Sequence, residues 1–346
     1  MRGREHPLIA PRPAPPRARR RWSWHHPGTR ALVWQLLALL AVVLGLGWLV
    51  HNTQANMAAR GIQSGWDFLS QTAGFDIGEQ AIAFASTDSY ARAFAVGVLN
   101  TLRVSVAAIV LCTLLGMLVG IGRLSRNLPV RMLCRGYVEL FRNVPLLVQL
   151  LLWYLLLVEY LPDPTEAWHW GDFVFWSKAG LSLPFPVQGP QGWHWSLPTL
   201  QGFAIEGGAA LSPEFLALLL GLTLYTAAFV AEVVRAGITA VPRGQIEAAL
   251  SIGLGRGQTL RHVTGPQALR IIVPPLTNQY LNLTKNSSLA VAVGYPDVVS
   301  IANTSLNQTG RALECIAVIM VVYLGLSLST ALVMGHINRR AALQER

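Results

Sequence analysis

The chain has 346 residues, of which 52% are hydrophobic and only 13% charged, with a formal net charge of +10. So little charge cannot cover a soluble domain of this length, whereas apolar runs of about 20 residues, enough to cross a bilayer as helices, account for the shortfall. The arginines flank those runs instead of lining one surface, which excludes a nucleic-acid binder, and Cys112, Cys134 and Cys315 lie apart in apolar segments with no zinc or redox spacing.

Residues 1–30 form a basic, proline-rich tail with Arg2, Arg4, Arg12, Arg17, Arg19, Arg20, Arg21 and Arg30. A first span follows at 31–50. It exceeds the roughly 7–15 apolar residues of a signal peptide, which favours a retained helix. Residues 51–89 are polar, with Asp67, Asp76, Glu79 and Asp88 against Arg60. The second span covers 90–121 and leads into Arg123, Arg126, Arg131 and Arg135. The third, 132–157, is interrupted by Arg142-Asn143-Val144-Pro145. Residues 159–211 contain no run able to span; Trp168, Trp170, Trp176, Trp193 and Trp195 suit an anchor at the membrane interface.

The fourth span, 213–237, precedes a polar segment, 239–270, that carries Arg243, Arg256, Arg261 and Arg270. The fifth, 271–293, is unusually polar, and the last covers 313–334 before Arg339 and Arg340. Six spans in alternation put the tail, the turn after the second span, 239–270 and the carboxyl end on one side, together with most arginines. That side is cytoplasmic by the positive-inside rule, with 51–89, 159–211 and 295–311 outside. The expected class is an all-α integral membrane protein with its amino terminus in the cytoplasm.

Within 239–270, Pro242 suits a first helical turn and Ile246, Ala249 and Leu250 share one face. Gly253, Gly255 and Gly257 are expected to stop that helix and reverse the chain at positive φ, after which Gln258 to Val263 resume a helix that Gly265-Pro266 ends. Such an elbow is either a plain connection or a docking element.

Glu247-Ala248-Ala249 followed by Gly253 resembles the EAA signature of binding-protein-dependent ABC import permeases, and VPRGQIEAA and GPQALRIIVPP resemble its polar amino-acid uptake version. Gly97-Val98-Leu99-Asn100-Thr101-Leu102-Arg103 and Phe141-Arg142-Asn143-Val144-Pro145 are similar to further motifs of that family. LNLTKNSSLAVAVGYPDVV, with NTQAN and GFDIGE, looks most like its general L-amino-acid branch. Gly265 departs from the family, which usually has leucine there. The resemblance implies a type I ABC importer transmembrane domain over 90–338, five core helices plus an amino-terminal lead-in helix, in a bacterial inner membrane. It implies that Glu247, Ala248, Ala249 and Gly253 couple the chain to a separate ATPase subunit, which holds the ATP and Mg2+; no cofactor belongs to this chain. A second permease, a different but related chain, and a periplasmic amino-acid-binding protein complete the implied assembly.

Asn278, Asn282, Lys285, Asn286 and Ser287 in the fifth span would be costly against lipid. They either line a solute path or bond across packed helices. Pro274-Pro275 is expected to kink this span. Arg142 and Lys285, and less strongly Arg103, are candidate partners of a substrate carboxylate; the other reading is a structural ion pair, with Glu139 or Glu232, or snorkelling. The only lysines, Lys178 and Lys285, precede Ala179 and Asn286, so no P-loop occurs and the chain is read as a transport subunit, not an enzyme. An ion-coupled secondary transporter of small polar solutes is the alternative, which would leave the elbow without a purpose.

Overall fold

The computed structural model describes residues 27–59, 61, 64–171, 173–189 and 192–341. The expected tails fall outside these residues over 1–26 and 342–346. Contacts divide the chain into residues 1–63 and residues 64–346. In the first unit, α1 (Pro27–Ala59) has 33 residues and is about 50 Å long. Its apolar side chains are exposed all round, as hydrocarbon allows. The helix outruns the expected 31–50 and carries His51, Asn52 and Gln54 in its last turns.

In the second unit, α2 (Tyr90–Gly122), α5 (Pro213–Thr239) and α10 (Ala312–Ala341) join α1 as the four helices, among the described residues, long and apolar enough to cross a membrane. Two bent pairs raise the number to six if each crosses once. The start of α2 and α5 is written into their caps. Ser89 and Ser212 accept the amide hydrogens of Arg92 and Phe215, and Pro213 needs no amide partner.

These two helices run parallel and pack tightly. A Cβ on Gly116 would lie 2.5 Å from Val230 Cγ1, and one on Gly120 would lie 2.7 Å from the Ala231 carbonyl oxygen. Glycines four apart thus give α2 a smooth stripe into which α5 settles, the way membrane helices gain dispersion energy without a hydrophobic drive.

The first bent pair is α3 (Leu128–Asn143) and α4 (Leu146–Glu159), set at 104°. The third span is therefore broken rather than continuous. Pro145 lacks an amide hydrogen and holds Val144 extended, at φ −95 and ψ 128. Gln149 repairs the gap by donating from Nε2 to the carbonyls of Phe141 and Val144, each at 2.9 Å. In a bilayer those oxygens have no water to turn to.

The second bent pair starts in the elbow. α6 (Arg243–Ser251), α7 (Arg256–Thr259) and a π turn (Leu260–Thr264) lead directly into α8 (Gly265–Asn286). Gly265-Pro266 thus begins a helix instead of ending one, because proline is tolerated in a first turn. α8 also continues through Pro274-Pro275. The bend of 51° comes later, after a 3-10 segment (Ser287–Val293) and Gly294 at φ 79, before α9 (Val298–Thr309).

The Gly97–Arg103 motif stitches that second break to α2. A Cβ on Gly97 would sit 3.0 Å from the Val298 Cα. Buried Asn100 donates to the carbonyls of Glu79 and Pro296, at 2.8 and 2.9 Å, and accepts from the Ala81 amide. Thr101 Oγ1 accepts from the Val298 amide.

The expectation of an all-helical chain fails between α4 and α5. Antiparallel strands β1 (Trp168–Trp170), β2 (Val174–Ser177), β3 (Gly180–Leu183) and β8 (Ala209–Leu211) form one sheet in that order. Two hairpins follow the same rule: β4 (Phe185–Gly189) with β5 (Gly192–Ser196), and β6 (Thr199–Gln201) with β7 (Ala204–Glu206). Short runs rich in aromatic and β-branched residues, punctuated by Gly180, Gly202 and Gly207 at positive φ, are the signal that identifies them. Trp193 and Trp195 stand exposed on the β4–β5 hairpin.

Residues 64–89 close over the end of the bundle where α2 and α5 begin. Phe68, Ile77 and Phe84 are buried with Tyr90, Phe94 and Ile301. Glu79 accepts from Arg103 Nη1 at 2.7 Å and from the Ser212 hydroxyl, so one carboxylate joins α2 to the head of α5. Arg103 in turn stacks over Phe215, 4.6 Å from the ring centre. Burial pushes the Glu79 carboxyl above its ordinary 4.5, against the lowering pull of Ser212 and Arg103.

Two outcomes follow from this packing. Replacing Gly120 by Leu should destabilise the detergent-solubilised protein by about 1–3 kcal/mol through overpacking, seen as a lower melting temperature. Gly136→Leu, where no atom lies within 4 Å of a new Cβ, should not. Because the folded state holds the Glu79 proton more tightly than the unfolded chain does, its contribution is full below about pH 4.5 and lost as pH rises through the raised value. Glu79→Gln should therefore remove that downward slope from the stability–pH curve.

Candidate coupling elbow and solute cavity

The elbow is built by its glycines, each for a different reason. Gly253 sits one residue beyond the Ile252 cap of α6 at φ 88, with its amide on the Leu250 carbonyl and the Leu254 amide on the Ala249 carbonyl, at 3.0 and 3.1 Å. Those two bonds are a Schellman closure, which places a left-handed residue at this position and favours glycine there. Gly255 and Gly257 do not share its positive φ, contrary to expectation. Gly255 caps α7 instead, its amide held by Gln258 Oε1 at 2.9 Å. Gly265 donates to the Leu260 carbonyl to close the π turn, and a Cβ there would lie 2.7 Å from that oxygen. A side chain at Gly265 would therefore crowd this turn.

Ala249 is buried and anchors α6, while Glu247, Ala248, Leu250 and Ile252 face outward. Among the described residues the Glu247 carboxylate has no ion-pair partner. Ile252 is 78% exposed and Leu250 45%, beside the exposed Arg243 and Arg256. Exposed apolar side chains on a glycine-closed turn that also exposes Arg243, Glu247 and Arg256 make a surface fit for a protein partner.

A cavity of 290 Å³ lies between α5 and α8. Tyr225, Thr226 and Phe229 come from α5; Gln279, Asn282, Leu283 and Asn286 come from α8. Three amides and two hydroxyls therefore converge on one space, which suits a small polar solute. Of the sequence candidates, Asn282 and Asn286 line it. Asn278 and Lys285 are exposed elsewhere on α8, and Ser287 is buried with its hydroxyl on the Thr284 carbonyl at 2.7 Å. The other face of α8 does bond across helices, through Tyr280 and the Thr113 hydroxyl at 2.7 Å. One helix thus carries both a packed face and an open one. Gln279 was visible in the polar run, but the α5 wall of Tyr225, Thr226 and Phe229 reads as ordinary apolar span.

Arg142, in the last turn of α3, is exposed and lies 5.1 Å from the centre of the Phe229 ring. It pairs with neither Glu139 nor Glu232 among the described residues. Glu232 instead accepts from Arg123 at the end of α2 and from Arg235, tying the far ends of α2 and α5. Arg103 is committed to Glu79. Arg142 therefore stands beside the cavity wall with its charge available.

Residues 112–343 match the family described as binding-protein-dependent transport system inner membrane component. YhdX, a putative amino-acid ABC transporter permease protein of Escherichia coli, is 44% identical over 94% of this chain and 97% of its own. AapQ, a general L-amino acid transport system permease protein of Rhizobium johnstonii, is 40% identical over 94% and 96%. BztB of Rhodobacter capsulatus, a glutamate/glutamine/aspartate/asparagine transport system permease protein, is 36% identical over 92% and 95%. A solved amino acid ABC transporter with histidines superposes with a TM-score of 0.54 at 27% identity, over 72% of this chain and 95% of its own. The fold, the elbow that closes on Gly253 and these likenesses agree: the chain belongs to the binding-protein-dependent transport system inner membrane components, as a permease subunit of the amino-acid ABC importers.

Proposed function

We propose that this chain forms one wall of the membrane pathway of an ATP-driven L-amino-acid importer in a bacterial inner membrane. The observation that carries the proposal is one of connectivity. The elbow, residues 240–264, joins the end of α5 to the start of α8, and those are the two helices that line the cavity. Gly237 lies against Ile272 where they diverge. A push on α6 thus reaches both walls through one short turn on each side, and a separate ATPase binding at Glu247 and Ile252 would open or close the cavity.

Charge supports the orientation. Arg123, Arg235, Arg243, Arg256, Arg261 and Arg270 cluster at the elbow end, while Asp67, Asp76, Asp88, Glu79 and Glu214 gather at the other. The elbow and the amino terminus then lie in the cytoplasm, and residues 64–89 and the strand region lie outside. ATP and Mg2+ belong to the partner ATPase. A second permease, a related but different chain as in the general L-amino-acid branch, faces this one, and a periplasmic binding protein delivers the solute. The domain reading is a lead-in helix, an outer segment to residue 89 and a transmembrane domain over 90–338. A mechanism driven by ion flux is not favoured, because it gives the elbow nothing to do.

The amides of the cavity suit the carboxylate and polar side chain of an amino acid, with Arg142 beside the Phe229 wall as a positive charge, whereas Asn278, Lys285 and Ser287 do not line this cavity. Copurification of the partner ATPase should be abolished by Glu247→Arg, together with uptake; full uptake in a strain without that ATPase would refute the proposal. In vesicles containing the whole assembly, Asn282→Ala and Asn286→Ala should each raise the KM for uptake roughly three- to tenfold, the value of a hydrogen bond or two, without loss of the ATPase. An unchanged KM in both would remove the cavity from the path.

A further inference from the structure

A second cavity, of 570 Å³, opens at the end of the bundle where α2 and α5 begin. Segment 75–79, the β2–β3 turn, the first residues of α5 and one face of α9 enclose it. Its charged lining is Asp76, Glu79, Lys178 and Glu214, with Ser300 and Thr304 on the α9 side. Two of these charges are already answered. Glu79 is held by Arg103 at 2.7 Å, and the Lys178 ammonium lies 3.4 Å from Asp163. Asp76 has no cationic partner among the described residues. Neither has Glu214, which receives only the Tyr154 hydroxyl at 3.4 Å. Two carboxylates from separate elements therefore face one hollow with no cation paired to either, next to a third that Arg103 holds.

We infer that this cavity receives a lysine or arginine side chain of the soluble binding protein that delivers the solute. The inference rests on the orientation proposed above, which turns this mouth outward. The family is defined by its dependence on a binding protein, so a soluble partner must meet this face. The charges choose the occupant. A free amino acid brings a carboxylate as well as an ammonium, and the one cation in the lining is engaged by Asp163. A basic side chain brings only the cation and leaves its backbone outside. An ammonium or guanidinium between Asp76 and Glu214 gains charge-assisted bonds in a recess partly shielded from solvent, and the field of the two carboxylates steers the approach. The volume admits a guanidinium together with bridging water.

The test uses the whole assembly in vesicles and reads ATP hydrolysis against the concentration of solute-loaded binding protein, at low and high salt. Asp76→Asn combined with Glu214→Gln keeps shape and removes charge. It should raise the half-saturating concentration about tenfold and flatten its salt dependence, while the maximal rate is retained. Asp76→Asn alone, at an exposed position where folding is not in question, should move it in the same direction by less. Half-saturation equal to the parent in both variants would overturn the inference. So would an altered competition between glutamate and lysine for uptake with half-saturation unchanged, because the cavity would then take free solute. Hydrolysis in the parent that ignores the binding protein altogether would instead refute the importer reading on which the inference stands.

Discussion

The contact on which everything else depends is the backbone approach of α2 to α5. Two glycines four residues apart remove the side chains that would hold the helices apart, and Val230, Ala231 and Val234 fill the space. Lipid offers apolar side chains as good a home as a neighbouring helix does, so association must come from closeness of fit. The fit is fastened at both ends by polar bonds across the same two helices. Glu79 links Arg103 to Ser212 at one end, and Glu232 links Arg123 to its own helix at the other. The pair therefore behaves as a single strut, and the remaining helices are arranged by how they meet it.

Rigidity there makes the breaks elsewhere meaningful. α3–α4 and α8–α9 each interrupt their hydrogen-bond ladder, which a bilayer penalises unless the freed groups find protein partners. Gln149 supplies them at the first break. At the second, Asn100, Thr101 and Tyr295 bind the chain around Pro296 back to the strut, with Tyr295 donating to the Asn100 carbonyl at 3.3 Å. Both discontinuities are thus satisfied on the side of the strut. The faces they leave open, at Arg142 and along Gln279, Asn282 and Asn286, border the cavity.

How much of this the sequence disclosed follows the range of the forces involved. The starts of α2 and α5 were legible to the residue, because apolar length and a serine cap are local signals. The first half of the elbow was legible because a glycine at the left-handed position leaves a fixed mark after a short amphipathic turn, whereas Gly255, Gly257 and Gly265-Pro266 carried no such mark of the helix they begin. The strands of 168–211 were missed: an expectation set by spanning length passes over short alternating runs, although their glycine punctuation was present. In the sequence Glu79 is one acid among several, since its partners lie 24 and 133 residues away. The α5 wall of the cavity was invisible for a different reason. Tyr225 and Phe229 are as suited to lipid as to a solute path, and only their position opposite α8 assigns them.

The two faces of α8 show why polarity alone could not settle the role of that span. Tyr280, Thr284 and Ser287 direct their hydroxyls to helix backbone or to Thr113, while Gln279, Asn282 and Asn286 leave their amides toward open space. A helix polar all round would be unstable in hydrocarbon, and one glued all round could not move. Dividing the polarity lets α8 keep a firm hold on α2 through Tyr280 while its other face changes partners. The division also explains why the bend is placed after Asn286 and not at Pro274-Pro275. Between elbow and cavity the helix runs unbroken through Pro274-Pro275, whereas beyond the cavity a left-handed Gly294 allows the chain to bend and stay stapled to α2. In the importer we propose, a lever stiff on the driven side and hinged on the anchored side would move the wall between them.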